Sequence, residues 1–185
     1  NIYAITRLLR MGVSVEELHE ITKITNLFLE SFKKIVDMEK ALSENKNNDE
    51  ILAKAKIMGF SDTYIAKLWG VHEIEIYEKR KKLNLVPAFR MVDTMKTGKY
   101  LPYLYSSYTG DNSSILTEKK KIVVLGAGPI RIGQGVEFDY STVHAVQTIK
   151  KAGYEAIIIN NNPETVSTDY TTGDKLYFEP LTPED

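Results

Sequence analysis

The chain has 185 residues, of which 43% are hydrophobic and 26% charged, a composition typical of a globular protein with one or two domains. The 24 basic residues nearly balance 25 acidic ones, so the net charge of −1 gives no general attraction to polyanions. Since the chain contains no cysteine, disulfides, cysteine zinc sites, iron–sulfur clusters and thiol nucleophiles are excluded. The three histidines are scattered, which argues against a histidine-based metal site.

The sequence also lacks the features of membrane and secreted proteins. Its aliphatic runs are far shorter than the roughly 20 apolar residues of a membrane helix. The first thirty residues mix charged and apolar positions and contain no signal-peptide core. We therefore expect a cytoplasmic protein without a membrane partner. The chain begins with Asn1 and stops at Asp185, and we expect it to be a piece of a longer protein.

Residues 1–90 are predicted to form a helical bundle built from two similar units. Apolar residues recur at helical spacing, and Met11-Gly12-Val13-Ser14 is matched 47 positions later by Met58-Gly59-Phe60-Ser61. Each unit is predicted as a short helix, a tight turn and a longer helix, a helix-turn-helix-like repeat. The two should pack together because neither can bury its apolar stripe alone.

The second repeat allows a rival interpretation. The segment 60–71 resembles the first helix and turn of a helix-turn-helix DNA-binding domain. The helix that follows begins with Glu73, Glu75 and Glu78, where a DNA reader is expected to carry basic or amide side chains. We therefore favour a packed helical hairpin and do not expect nucleic-acid binding. The alternative is a DNA-binding regulator with an α/β ligand-sensing domain.

Residues 91–118 are predicted to connect the two halves of the chain. Four tyrosines lie within nine positions of one another: Tyr100, Tyr103, Tyr105 and Tyr108. A solvated linker rarely holds so many aromatic rings, so we expect this connector to lie against a protein surface. Packing on its own domain is favoured over a platform that stacks a ligand.

Residues 119–185 are predicted to form a truncated Rossmann-like parallel βαβ unit. An apolar run at 121–125 ends in glycine and indicates a buried strand. A helix ending near Lys150-Lys151 follows, and 156–159 is a second buried strand. A third strand is predicted at 176–178. Strands and helix in this order imply a right-handed crossover and a parallel sheet.

A glycine-rich loop lies between the first strand and the helix, where such loops often cradle phosphates. The dinucleotide fingerprint requires glycine at the position of Arg131. The P-loop pattern requires lysine at the position of Gln134. Two interpretations stay open: a structural turn, or a site for a small anion or substrate. The candidate residues are Gly126, Gly128, Arg131, Gly133 and Gly135.

Arg131 and the loop after the second strand have two interpretations each. The guanidinium could bind a carboxylate or phosphate bidentately, or pair with Glu137 or Asp139. The loop 160–170 should lie at the same edge of the sheet as the glycine loop, where α/β proteins bind ligands. Its polar residues suit a small polar ligand, but Asn and Asp also cap turns. A carboxylate pair of Glu164 and Asp169 has no supporting partner residue.

Two segments together resemble the large (synthetase) subunit of carbamoyl phosphate synthetase. They are Leu125-Gly126-Ala127-Gly128-Pro129-Ile130-Arg131-Ile132-Gly133-Gln134-Gly135-Val136-Glu137-Phe138-Asp139-Tyr140 and Asn160-Asn161-Asn162-Pro163-Glu164-Thr165-Val166-Ser167-Thr168-Asp169-Tyr170. That subunit consists of two homologous synthetase halves joined by a helical oligomerisation domain. By this resemblance, 1–90 is the oligomerisation domain and 119–185 is an incomplete pre-ATP-grasp domain of the carbamate-phosphorylating half.

The resemblance implies a ligase reaction for the longer protein. Bicarbonate, ammonia and two ATP give carbamoyl phosphate for arginine and pyrimidine synthesis. Ammonia comes from glutamine on a separate small glutaminase subunit. Magnesium or manganese assists, as does potassium. The ATP-binding lobes would follow this piece of the chain, so we expect no cofactor, metal site or catalysis within it.

The resemblance also implies what this piece contributes. Gly135 and Glu164 fall at positions that line the tunnel carrying carbamate between the two active sites. The glycine-rich loop is not expected to hold nucleotide phosphate. The helical part is expected to mediate self-association.

Overall fold

The protein, described here by a computed structural model, forms two compact units, Asn1–Leu85 and Val86–Asp185. The structure describes residues 1–93, 98–129, 133, 135 and 137–185. Arg131 and Gln134 lie outside these residues. Among the residues described, every helix is too short or too polar to cross a bilayer.

The first unit is entirely helical, as predicted, but it ends at Leu85, and residues 88–90 of the predicted helical range belong to a strand of the second unit. In the continuously described range 1–85 its six helices are α1 (Ile2–Arg10), α2 (Val15–Thr22), α3 (Asn26–Glu44), α4 (Asp49–Ile57), α5 (Asp62–Trp69) and α6 (Glu73–Lys82). Shifting the first three by 47 positions reproduces both bounds of α4, both bounds of α5 and the start of α6. The predicted two-repeat organisation is therefore confirmed.

Matching local signals set the helix boundaries in both repeats. Ser14 and Ser61 accept hydrogen bonds from the backbone N–H three residues later, as side chains that cap a helix N-terminus do. The turns before them contain Gly12 at φ +90° and Gly59 at φ +87°. A side chain rarely adopts this left-handed conformation, so the paired glycines are required by the two tight turns.

Helix α3 contributes to two separate hydrophobic cores. Its Leu29 and Val36 are buried with residues of α1 and α2. Farther along, Leu42 is buried with residues of α4, α5 and α6, and Met38 packs against them. The repeats therefore share one long helix, which joins them.

A polar cluster also links the two repeats. The Arg10 guanidinium donates a hydrogen bond of 2.8 Å to Glu39 Oε2, and the Tyr64 hydroxyl donates to Glu39 Oε1. Partial burial acts to raise the pKa of Glu39, but the hydrogen bonds from Tyr64 and Arg10 outweigh it and hold that pKa below its ordinary value. Burial, and next to it the hydrogen bond to Glu39, raises the pKa of Tyr64 against the opposing effect of Arg10.

The second unit is built on a mostly parallel sheet. Its elements among the described residues are β1 (Ala88–Met91), β2 (Tyr103–Ser107), β3 (Lys121–Leu125), α7 (Glu137–Lys151), β4 (Glu155–Ile159), a 3₁₀ turn (Val166–Thr168) and β5 (Lys175–Tyr177). The strand order is β1-β2-β5-β4-β3. All adjacent pairs are parallel except β1 with β2. The core forms where Val146 of α7 packs against β4 and β5.

Two strands of this sheet were not predicted from the sequence. β1 ends at Met91, where the predicted connector begins, and β2 lies within the tyrosine-rich segment. β2 pairs with β5 inside the sheet. The rings of Tyr103 and Tyr105 lie 5.5 and 5.4 Å from the ring of Phe178. These tyrosines therefore pack within their own unit, which is the favoured interpretation of the two given above.

Candidate functional site

The candidate site lies at the carboxyl edge of the parallel strands. Because β3 and β4 are parallel, the glycine-rich loop and the loop 160–170 leave the sheet at the same edge. The structure brings the two loops into direct contact: the Gly128 N–H donates to Asn160 Oδ1 at 3.0 Å. Next to it, the Gly126 N–H donates to the carbonyl of Ile159 at 2.9 Å.

Asn160 is the residue that fixes these loops. Only 2% of it is exposed. Besides accepting from Gly128, its side chain donates to Ser167 Oγ at 3.2 Å, and its backbone N–H donates to Tyr177 O. The side-chain amide therefore bridges two loops, and the backbone N–H ties the same residue to β5, which gives Asn160 a structural role.

The glycines of the loop are required for different reasons. A Cβ on Gly126 would lie 2.4 Å from Asn160 Cγ, so any side chain there would displace the bridging amide. Gly128 has φ +73° and Gly133 has φ +89°, and a side chain at either would be strained. A Cβ on Gly133 would meet no atom of the described residues within 4 Å, so strain alone argues for glycine there. The structural-turn interpretation therefore accounts for these three glycines.

Most polar residues of the second loop hold the loop itself. Asn162 Oδ1 accepts from the Glu164 N–H at 2.9 Å, and Thr168 Oγ1 donates to the carbonyls of Asn162 and Thr165 at 2.7 and 3.0 Å. Asn162 and Thr168 are buried. They are turn residues of the kind that the sequence analysis offered as the alternative to ligand binding.

Asp139 connects the helix to this loop. It lies near the start of α7, and its Oδ2 accepts from the Ser167 N–H at 2.8 Å. From the sequence, Asp139 was one of two candidate partners of Arg131. Because Arg131 lies outside the described residues, its two interpretations remain as they were.

The two candidate tunnel positions, Gly135 and Glu164, are both exposed. They are thus accessible positions at the edge where the two loops meet, and Asp169 and Tyr170 of the second loop are exposed as well. Within the described ranges, no three acidic or histidine side chains converge in a way that could hold a metal ion.

Glu179 is a buried carboxylate that the sequence analysis missed. It follows β5, at the carboxyl edge, and its carboxylate accepts hydrogen bonds from the backbone N–H and the hydroxyl of Ser106 in β2. Burial raises the pKa of Glu179 even against these two bonds. Its partner lies 73 positions away, so no local pattern could have identified it.

A second buried carboxylate lies at the opposite edge. Glu155 Oε1 is 3.1 Å from the ammonium of Lys175, and both side chains are at most 4% exposed. Burial acts to raise the pKa of Glu155, but hydrogen bonds from Thr117 and Lys175 outweigh it and hold that pKa below its ordinary value. This pair joins the starts of β4 and β5 and stabilises the sheet away from the candidate site.

Two family models match the chain, in an order that corresponds to its two units. Residues 1–84 match the oligomerisation domain of the carbamoyl-phosphate synthetase large chain. Residues 118–185 match the carbamoyl phosphate synthase pre-ATP-grasp domain. The helices that also suggested a DNA-binding regulator fall within the first match. The matches cover most of the chain and name two domains of the same large chain, so this protein belongs to the carbamoyl-phosphate synthetase large-chain family.

Proposed function

We propose that the chain is part of a glutamine-dependent carbamoyl-phosphate synthetase. In the complete enzyme, ATP phosphorylates bicarbonate, ammonia displaces the phosphate to give carbamate, and a second ATP phosphorylates carbamate with release of ADP. A separate small subunit would supply ammonia from glutamine, and magnesium or manganese and potassium would assist. The consecutive matches to two domains of this large chain carry the proposal.

Within that enzyme, we assign no nucleotide binding to the glycine-rich loop. A phosphate cradle needs backbone N–H groups that point at the ligand. Here the N–H groups of Gly126 and Gly128 are already donated to Ile159 and Asn160. ATP would therefore be bound by other parts of the longer protein, and these 185 residues alone would not catalyse the reaction.

The tunnel role of Gly135 and Glu164 is the finer part of this proposal. A glycine lets an intermediate pass where a larger side chain would obstruct it, and a carboxylate can hydrogen-bond a passing carbamate or water. The exposure of both positions, at the edge where the two loops meet, supports this assignment.

The first experiment uses the gene extended to its natural start and stop. ADP release from ATP should depend on bicarbonate and rise with ammonia, with carbamoyl phosphate as product. A folded, ATP-binding protein without this dependence would refute the proposed activity.

The tunnel assignment needs a separate measurement on the same full-length enzyme. Gly135→Phe should leave bicarbonate-dependent ATP cleavage in place and reduce carbamoyl phosphate formed per ADP. Lys151→Phe is a control at the exposed last residue of α7. Equal product yields for Gly135→Phe and the unmodified enzyme would rule out a tunnel wall at this position.

A further inference from the structure

Helix α3 presents an apolar patch on the first half of one of its faces. Leu27 and Phe28 lie four and three residues before Ser31, and Ile35 lies four residues after it, so the four residues share a helix face. Leu27 is 67% exposed, Phe28 59% and Ile35 44%. These four residues are called the α3 patch. Three large apolar side chains on one face are a typical feature of a protein interface.

The same face is covered farther along the helix. Met38 lies seven residues after Ser31, and Leu42 lies seven after Ile35, so both continue the face of the patch. There Leu42 is fully buried against the second repeat, and Met38 packs beside it. Neighbouring helices thus cover the second half of this face, and the first half has the same apolar character without such a cover.

The second repeat shows that the repeat fold does not require an apolar patch here. The α6 residues 47 positions after the patch are Ile74, Glu75, Glu78 and Lys82. Three of these four are charged, as expected for a helix face in water. Phe28 and Ile35, two of the three apolar residues of the α3 patch, are therefore specific to the first repeat and point to a partner.

We infer that the α3 patch pairs with the α3 patch of a second copy of this chain, as two antiparallel helices related by a two-fold axis at Ser31. The inference rests on the self-association proposed for the family's oligomerisation domain. In a two-fold interface, if residue i of one copy contacts residue j of the other, then residue j of the first copy also contacts residue i of the second. Antiparallel pairing about Ser31 places Leu27 opposite the partner's Ile35.

The composition of the patch suits this arrangement. Ser31 is small, and its hydroxyl donates to the Leu27 carbonyl at 2.7 Å, so two helices can approach closely without leaving a polar group unpaired. Glu30 and Lys34 border the patch one turn apart. The antiparallel pairing brings Glu30 close to the partner's Lys34 on both sides of the axis, which matches opposite charges.

The first test measures molar mass by light scattering over a wide concentration range. The unmodified chain should show a mass that rises with concentration, because a patch of this size supports a weak dimer. The variant Phe28→Glu/Ile35→Lys should remain monomeric at concentrations where the unmodified chain associates. It introduces the residue types that α6 carries at the same positions, so the helical circular dichroism should be unchanged. Ile74→Glu is the matched control and should associate normally.

A second test locates the axis. Because the chain contains no cysteine, Ser31→Cys introduces a single thiol. Under mild oxidation it should cross-link two copies, and Glu78→Cys, at the equivalent position of α6, should not. Association that survives Phe28→Glu/Ile35→Lys, or equal cross-linking of the two cysteine variants, would overturn the patch but leave self-association standing. A chain that is monomeric at every concentration would refute both, independently of the enzyme assay.

Discussion

Replacing Asp62 with alanine should destabilise the helical unit by about 3–5 kcal/mol, the usual cost of removing one partner from a buried ion pair. The carboxylate of Asp62 accepts two hydrogen bonds of 2.8 Å from Arg80 Nε and lies 3.0 Å from Lys56 Nζ. All three side chains are at most 2% exposed. At about 3 Å and an effective dielectric constant of ~20, each cation attracts a carboxylate by roughly 5 kcal/mol. Most of this attraction offsets the cost of burying the charges, and the variant would lose the attraction while both cations stay buried.

The first repeat provides the comparison that sharpens this prediction. Its residues equivalent to Lys56 and Asp62 are Leu9 and Val15, both buried and apolar. The same backbone therefore accepts an apolar core at these positions. The triple variant Lys56→Leu/Asp62→Val/Arg80→Met should consequently be more stable than Asp62→Ala, since it leaves no buried charge without a counterion.

Urea denaturation of the full chain, followed by tryptophan fluorescence, measures both effects. Trp69 is the single tryptophan, is 6% exposed and lies in the core of the second repeat, so its emission reports on this unit. A loss below about 1 kcal/mol for Asp62→Ala would refute the reasoning. A triple variant less stable than Asp62→Ala would also refute it, because a packed apolar core would then stabilise the unit less than the incomplete ion cluster does.

Three further substitutions test other parts of the structure. Gly126→Ala should cost on the order of 2 kcal/mol by displacing the Asn160 amide from its buried hydrogen bonds, and faster hydrogen exchange in β4 would reveal it. Lys175→Met should cost about 3 kcal/mol by leaving Glu155 buried without its nearest cation, seen as a lower melting temperature. The lowered pKa of Glu39 contributes stability that is present above pH 4.5, its ordinary pKa, and is lost as the pH falls through the lower folded value. The unfolding free energy of Glu39→Gln should therefore fall less between pH 6 and pH 3 than that of the unmodified chain, and identical pH profiles would contradict this.

The sequence was most informative where local chemistry determines the structure. The repeated Met-Gly and the serines at Ser14 and Ser61 act within one turn of their own position, through a positive φ or an N-terminal cap. Their repetition at a fixed offset therefore predicts the helix boundaries of both repeats. The strands β3 and β4 were predicted for a similar reason, since a short apolar run needs no distant partner to be recognised. Both were expected to be buried, and this is correct for β4 but wrong for β3, which is an edge strand with Val123 50% and Leu125 67% exposed.

Features that depend on distant partners were not predicted. β2 holds its place by pairing with β5, which lies about 70 positions later in the sequence. At the candidate site, Gly126 is required by the side chain of Asn160, and this contact exists only after β3 and β4 have paired. The motifs predicted that the two loops lie at the same edge of the sheet, and they do. The sequence alone could not separate the residues that hold the loops from those that remain accessible.

The different endings of α3 and α6 explain why two repeats close into one unit. By the repeat, α3 would stop at Ile35, but it continues to Glu44 and places Leu42 in the second core. In α6 the chain instead turns at Asn84, with φ +54°, and the Leu85 N–H bonds back to the Arg80 carbonyl. A residue in the left-handed conformation commonly ends a helix, and this turn packs Leu85 against the second core. The two repeats therefore close around the second half of α3, while Leu27, Phe28 and Ile35 on its first half stay exposed.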